Sequence, residues 1–269
     1  MFKKVLVTGG CGFIGSHLVE KLIHENYQVT IFDKYNSFND LGWFNDHNLS
    51  KEIIFNLADI RDFDAVEKSV KDNDIVIHLA ALIGIPYSYY SPLAYINTNI
   101  VGTYNVLESC KKLNTKQLIV TSTSEVYGSA LYTPIDEKHP IQTQSPYSAS
   151  KSSADNLAIS YHKSFDLPVK IIRPFNTYGP RQSLRAVIPT IISQSIDPHT
   201  DMIKVGDIST VRDFTYVKDT CEAYIELIKH DVYGEVYNVG SSKNISIENL
   251  IKKISEKTKI EKEILLDDK

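Results

Sequence analysis

Two short stretches of this 269-residue chain hold residue types suited to chemistry rather than to packing. In "TSTSEVYG", Thr121 to Gly128, four hydroxyl residues precede a carboxylate, Glu125, directly after the apolar run "QLIV". A short apolar run reads as a buried strand, so the hydroxyls and the acid stand at its mouth. In "SPYSASK", Tyr147 and Lys151 are four residues apart, on one face of a helix. A phenol with a reference pKa near 10 is a poor base at neutral pH, and lowering it by about three units takes about 4 kcal/mol. A neighbouring ammonium and further positive charge held beside the ring supply stabilisation of that kind. Alone, such a pair reads as an ordinary exposed Tyr/Lys couple; a dinucleotide site in the same chain raises it to a candidate catalytic pair.

That site is carried by "LVTGGCGFIGSHLVEKL", a glycine cluster between a strand and a helix. Gly10, Gly12 and Gly15 satisfy G-x-G-x-x-G, and Gly9, Gly12 and Gly15 satisfy G-x-x-G-x-x-G. Residues without side chains let the backbone turn tightly and approach a pyrophosphate, and the helix N-terminus offers free N–H groups and partial positive charge. Asp33 ends the next strand, "TIFD", eighteen residues after Gly15. A carboxylate there accepts bonds from ribose hydroxyls and repels a 2′-phosphate, which favours NAD over NADP. Serine stands where an NTPase phosphate loop needs lysine, so that alternative is excluded.

The elements that must position these residues follow from the hydrophobic rhythm. "KKVLVT", "QVTIF", "EIIFNL", "DIVIHLA", "QLIVTS" and "PVKIIRP" read as strands buried on both faces and alternate with helical stretches. This is the pattern of an α/β fold with a doubly wound parallel sheet. Ser91-Pro92 and Ser145-Pro146 mark two helix starts, a capping hydroxyl before a proline fit for the first turn. After Asn176 the rhythm loosens, with a helix near Val187 to Ile192 and shorter elements beyond. A dinucleotide-binding domain over 1–176 and a smaller, mainly substrate-binding lobe over 177–269 are expected, with part of 211–230 packing on the first domain. The closing "EKEILLDDK" has no evident finishing element, and a chain truncated at this end is the expectation.

Composition narrows the partners. With 42% hydrophobic and 23% charged residues the chain is globular in character. Lys+Arg 29 against Asp+Glu 33, a net charge of −4, leaves no basic stripe for nucleic acid. No apolar stretch approaches the roughly 20 residues that cross a bilayer, and the reading is a cytoplasmic protein. Cys11, Cys110 and Cys221 are odd in number and far apart, and the eight histidines lack ligand spacing, so neither a disulfide framework nor a metal is expected.

"TGGCGFIG", "LADIRD", "HLAA", "NIVGT", "STSEVYG", Tyr147-x-x-x-Lys151, "RPFNTYGPR" and "RDFTYV" follow in order from residue 3 to about residue 250. Together they resemble the extended short-chain dehydrogenase/reductase superfamily, the NAD-dependent epimerase/dehydratases of nucleotide sugars, with a Rossmann sheet. Among its branches, "YNSFND", "PIDEKHP", "SPYSASK" and "RPFNTYGPRQSLRAVIPTII" look most like bacterial nucleotide-sugar 4,6-dehydratases of surface-glycan and legionaminic acid type pathways. The resemblance implies that Asp59 and Ile60 flank the adenine, that Leu79, Ala80 and Ala81 line the nicotinamide side, and that Asn99 supports the cofactor from the following helix. It adds Phe13, Ile14, Thr121 and Pro174 to the cofactor contacts beside Tyr147 and Lys151. Thr123 matches the hydroxyl beside Tyr147 at the sugar's 4-hydroxyl, Asn176 and Arg212 match positions that hold the diphosphate, and Arg185 and Val187 lie where the nucleotide packs. Tyr87 falls in the substrate loop "LIGIPYSYYSP", and His78 is a strand-end residue rather than a base.

The resemblance implies a first step in which Tyr147 takes the proton from the sugar O4 while C4 gives hydride to NAD. A 4-epimerase needs only rotation of the ketone and return of the hydride. A dehydratase must also remove the C5 hydrogen, now acidified, and expel the C6 hydroxyl. Glu125 is placed for that step, and epimerases typically carry a hydroxyl or aliphatic residue there. Ser124 departs from the aspartate many dehydratases have as the C6 acid, yet GDP-mannose dehydratases resemble this chain in carrying Thr-Ser-Glu, and uronate decarboxylases carry Ser-Thr-Ser-Glu. The reading is a nucleotide-sugar 4,6-dehydratase, with a 4-epimerase, a UDP-uronate decarboxylase and a non-enzymatic NAD-sensing module as alternatives. Leu93, Ile96, Ile100, Tyr104 and Leu107 form a wide apolar face on the helix 92–113. In the superfamily this helix and the one over 146–165 build a four-helix interface, so a homodimer is expected.

Overall fold

The computed structural model describes residues 3–45 and 47–266. In chain order, β1 (Lys4–Thr8), α1 (Phe13–His24), β2 (Gln28–Asp33), β3 (Ile54–Leu57), α2 (Phe63–Val70) and β4 (Ile75–His78) alternate as the apolar rhythm requires. They are followed by α3 (Ile85–Tyr90), α4 (Pro92–Tyr95), α5 (Gly102–Lys112), β5 (Gln117–Thr121), α6 (Pro146–Phe165) and β6 (Val169–Pro174). Then come β7 (Asn176–Tyr178), α7 (Val187–Ile196), β8 (Met202–Val205), β9 (Val211–Tyr216), α8 (Val217–Lys229), β10 (Val236–Val239), β11 (Asn244–Ser246), α9 (Ile247–Thr258) and β12 (Glu263–Leu266).

Two compact units result. The first runs up to Phe175 and takes back Lys218–Val239; the second holds Asn176–Val217 and the chain from Gly240. The first unit is a seven-stranded parallel sheet in the order β10-β6-β5-β4-β1-β2-β3. β4 and β2 flank β1, so the chain reverses direction across the sheet between β1 and β4, the place where open α/β sheets leave a crevice at their carboxyl ends. Val5, Val7, Ile77, Leu118, Ile119, Val120, Ile171 and Ile172 are 0% exposed, which is why these strands read as continuous apolar runs. Burying each such side chain is worth about 1.5–3 kcal/mol. β10 completes the sheet from the returning segment, pairing Val236 with Ile171 through Val239 with Pro174.

The two serine-proline starts differ. Ser145 caps α6 through a full capping box, Ser148 N–H donating to Ser145 Oγ at 3.1 Å and Ser145 N–H to Ser148 Oγ at 3.0 Å. Ser91 precedes α4 without a side-chain cap bond. The continuous helix read over 92–113 is interrupted by a π-helical segment, Ile96–Val101, centred on Asn99.

In the second unit β7, β9 and β11 form one small sheet and β8 pairs with β12. Ile191, Ile203, Val205, Ile247, Leu250 and Ile251 make its core. The stretch that lacked an evident finishing element thus forms a strand, Glu263 pairing with Met202 through Leu266 with Val205. Lys262 Nζ donates to Gln194 O at 2.8 Å and Asp197 O at 2.6 Å, satisfying carbonyls at the C-terminal end of α7. Among the described residues no helix is long and apolar enough to cross a membrane, and no three His, Cys, Asp or Glu side chains group as metal ligands.

Candidate active site

At the β1–β4 crevice Gly9 has φ +72, and its N–H donates to Phe32 O at 2.8 Å. A Cβ there would lie 2.8 Å from Ala80 N, so only glycine lets the turn pass the loop after β4. Leu79 N–H reaches Thr8 O at 3.0 Å and Ala80 N–H reaches Thr8 Oγ1 at 3.2 Å, which fixes Leu79, Ala80 and the neighbouring Ala81 beside the glycine turn. Gly15 lets α1 sit on the turn, since its Cβ would meet Gly9 O at 2.2 Å. Gly12 is different: it is exposed, and its Cβ would meet only Gly9 O, at 3.3 Å. The protein itself makes little demand for glycine there, and the space lies before the N-terminus of α1. The first intrahelical bond is Ser16 N–H to Gly12 O at 2.9 Å, so the N–H groups of Phe13, Ile14 and Gly15 have no acceptor within the helix. Free donors, the helix dipole and an open cradle fit a pyrophosphate.

Asp33 stands at the end of β2, one carboxylate oxygen taking Cys11 N–H and the other Lys34 N–H, each at 2.7 Å. Asp59 is exposed and bound to the Arg61 guanidinium, whose hydrogen bonds hold its carboxyl below the usual range. Two expected cofactor residues are placed otherwise than a direct contact requires. The Ile60 side chain is in the core, where a Cβ on Gly102 would meet it at 2.9 Å, so only its backbone could face an adenine. Asn99 is 0% exposed and its amide is fully used: Oδ1 accepts from Leu82 N–H at 2.8 Å, while Nδ2 donates to Leu82 O and Ser150 Oγ at 2.9 Å each. Asn99 ties the loop after β4 to α6 rather than offering a group to a ligand.

α6 and the end of β5 bring the chemical residues together. Tyr147, 8% exposed, faces the Thr123 hydroxyl, which favours its ionised form, and packs edge-on to Tyr95 with ring centres 6.2 Å apart. Lys151, 4% exposed, donates to Thr121 O at 2.6 Å, and Thr121 Oγ1 lies 2.7 Å from Tyr224 OH. Ser124 and Glu125 begin the 3-10 turn Ser124–Tyr127, which Thr123 Oγ1 caps by accepting Glu125 N–H at 3.2 Å. Burial pushes the Tyr147 phenol up to about 12; Thr123 acts against it, and the nearby Glu125, Tyr95 and Asp155 add to it. Burial pulls Lys151 down to about 8, opposed by Asp155. The protein alone thus keeps the phenol protonated, and the lowered value that base catalysis needs must come from positive charge brought alongside.

His78 ends β4 with both ring nitrogens engaged. Thr103 Oγ1 gives its proton to Asn99 O at 2.6 Å, so it accepts from His78 Nε2 at 3.0 Å, and Nδ1 accepts from Thr8 Oγ1 at 2.8 Å. Pro174 is buried at the end of β6, and Tyr87 lies exposed on α3. Asn176, Arg185, Val187 and Arg212 all belong to the second unit. Asn176 Nδ2 donates to Asp213 O at 3.3 Å across the β7–β9 pair, Val187 opens α7, and Arg185 and Arg212 are exposed, Arg212 donating to Val211 O at 3.0 Å. Three buried polar residues around the pair escaped the sequence reading: Asp155, Arg173 and Tyr95. Asp155 had a signal, since it continues the four-residue spacing of Tyr147 and Lys151.

A family model described as GDP-mannose 4,6 dehydratase matches residues 6–269. A putative UDP-glucose 4-epimerase of Methanocaldococcus jannaschii is 37% identical over 251 residues, covering 91% of this chain and 79% of that protein. A dTDP-D-glucose 4,6-dehydratase of Dictyostelium discoideum is 36% identical over 272 residues, covering 94% and 61%. The crystal structure of a UDP-glucuronic acid 4-epimerase from Bacillus cereus, in complex with UDP-glucuronic acid and NAD, superposes with a TM-score of 0.90 at 32% identity, covering 98% of this chain and 85% of that one. With the glycine turn, the Tyr147–Lys151 stripe and the parallel sheet that carries them, these likenesses establish that the chain belongs to the GDP-mannose 4,6-dehydratase family of NAD-dependent nucleotide-sugar dehydratases and epimerases.

Proposed function

We propose that this protein is a nucleotide-sugar 4,6-dehydratase. The observation that carries the reading is Glu125: a half-buried carboxylate in the turn after β5, close enough to Tyr147 to act on its charge. The glycine turn with Phe13, Ile14 and Asp33 holds NAD, and the bound cofactor supplies the hydride acceptor for C4 and the hydride donor for C6. Tyr147, beside the Thr123 hydroxyl, removes the O4 proton, and Lys151 keeps positive charge behind the phenolate. With a ketone at C4 the C5 hydrogen is acidic. Glu125 takes that proton, the C5–C6 double bond forms, and the C6 hydroxyl leaves as water with the proton returned from Glu125, beside Ser124; C5 then takes a proton from solvent as C6 is reduced. Asn176, Arg185, Val187 and Arg212 hold the nucleotide diphosphate, for which an arginine fork is suited.

Relatives of both classes support a second reading, a 4-epimerase, which uses Tyr147 and leaves Glu125 without a chemical step. Incubation with a panel of GDP-, UDP-, CDP- and dTDP-hexoses separates the two, because a 4-keto-6-deoxy product absorbs in alkali and an epimer does not. Glu125→Gln is expected to lower product formation by about 10²–10⁴-fold while NAD stays bound. Unchanged turnover in this variant sinks the dehydratase mechanism.

A further inference from the structure

Asp155 lies one helical turn beyond Lys151 on α6, and Tyr147, Lys151 and Asp155 form one stripe of spacing four, all buried. Three donors converge on a single carboxylate oxygen: Oδ2 accepts from Ser122 Oγ at 2.8 Å, Arg173 Nε at 3.0 Å and Arg173 Nη2 at 2.9 Å. The other oxygen, Oδ1, is buried and has no hydrogen-bond partner. Burial pushes the carboxyl up, while Arg173, Ser122 and Lys151 all favour the anion. A buried acid with one oxygen unpaired is costly, and a fold retains it where its charge is used.

The surroundings show where that charge acts. Lys151 shares its helical stripe with Tyr147 and Asp155, donates to the Thr121 carbonyl of β5, whose side chain reaches Tyr224 of α8, and is near enough to His78 of β4 to act on its charge. The Thr121 carbonyl favours the ammonium through its hydrogen bond, and Asp155 is the charged group that favours it. Tyr147 in turn faces Thr123, Glu125 and Tyr95, and the Asp155 charge acts on it too, raising the phenol less than the other groups that do so. The clamp on Asp155 also reaches the Glu125 turn. Arg173 Nη1 donates to Tyr127 OH at 2.9 Å, and Tyr127, the last residue of that turn, donates to Asn238 Oδ1 at 2.8 Å. Ser122 sits between Thr121, which takes the lysine, and Thr123, which takes the phenol.

We propose that Asp155 is a positioning residue for the oxidation step: an anion fixed by Arg173 and Ser122, one helical turn from Lys151, that holds the lysine in its ammonium form beside Tyr147. The proposal rests on Tyr147 and Lys151 as the oxidation pair and holds for either fate of the 4-keto sugar.

The test reads Lys151 directly, by NMR titration of the NAD-loaded protein with ¹³C-labelled lysine side chains, the Lys151 signal assigned by its loss in Lys151→Met. In Asp155→Asn the Lys151 midpoint is expected to fall by at least about one pH unit, tenfold in proton affinity. Asp155→Glu restores it, and the basic limb of the hydride-transfer pH profile moves down by the same interval in Asp155→Asn. Coupling is reciprocal, so in Lys151→Met the Asp155 carboxyl, followed with ¹³C-labelled aspartate, must titrate higher by a matching amount. That second variant keeps the test decisive if Asp155→Asn does not fold. A Lys151 midpoint unmoved in Asp155→Asn, or an Asp155 midpoint unmoved in Lys151→Met, overturns the proposal. A chain that epimerises rather than dehydrates leaves both titrations as stated.

Discussion

At the residue scale the site is governed by burial acting on opposite charges. Loss of water raises the Tyr147 phenol and lowers the Lys151 ammonium, so the protein alone moves both toward their neutral forms. His78 illustrates the same force with a stability consequence. Burial first, then Lys151, pushes its imidazole down from 6.5 to about 3, and the threonine pair around it suits the neutral ring. Between these values the unfolded chain binds a proton that the folded chain refuses. The stability His78 contributes is therefore fully present above pH 6.5 and is lost as pH falls toward about 3. We expect urea midpoints to fall on acidification below about pH 6.5, and His78→Gln to flatten that slope. A variant whose midpoints track the parent at every pH would show that other groups carry the acid sensitivity.

At the scale of elements, the glycine turn between β1 and α1 separates glycines the fold needs from Gly12, for which the fold makes little demand. Gly15→Ala drives a Cβ to 2.2 Å from Gly9 O, a backbone atom that cannot give way without moving α1 off the sheet. Its expected cost is about 1–3 kcal/mol or more of stability, read as a lowered melting temperature. Gly12→Ala meets only a 3.3 Å contact and points toward the space before α1. We expect its melting temperature to stay within a few degrees of the parent while NAD affinity, by calorimetry, drops at least about tenfold. Equal losses of stability in the two variants would mean that the cradle serves packing alone. The π-helical segment Ile96–Val101 is a second element of this kind, since the widened turn carries Asn99, whose amide bonds hold Leu82 and Ser150 in place.

At the scale of the whole molecule, one face of the first unit has an apolar excess. The helical run from α4 to α5 leaves Leu93 64%, Ile96 45%, Val101 39% and Tyr104 44% exposed, while Leu107 is fully buried. The periodicity seen in the sequence therefore splits into a core-facing row and an outward row, and α6, which packs alongside, adds the half-exposed Phe165. An exposed apolar row of this extent fits association through a second copy of the chain. Light scattering at micromolar concentration is expected to give the dimer mass. Leu93→Glu with Tyr104→Glu should shift it to the monomer with the melting curve of the first unit retained; a parent protein that is monomeric in that measurement removes the expectation.

Sequence alone determined six of the seven strands of the parallel sheet, the glycine turn, Asp33 at the end of β2 and the Tyr147–Lys151 stripe. Each of these is local: an apolar run, a turn spaced by glycines, a four-residue helical spacing. Tertiary structure decided what depends on residues far apart in the chain. β10 joins the sheet only because the chain returns after Val217, and α4 and α5 are parted by a π turn whose Asn99 answers to a loop seventeen residues away. The Asp155–Arg173 pair was silent in the sequence because an acid on a helix and a base on a strand, eighteen residues apart, carry no pattern until burial leaves them each other as partners. Sequence spacing set out the reacting groups, and packing set the dielectric and the charges that decide their protonation.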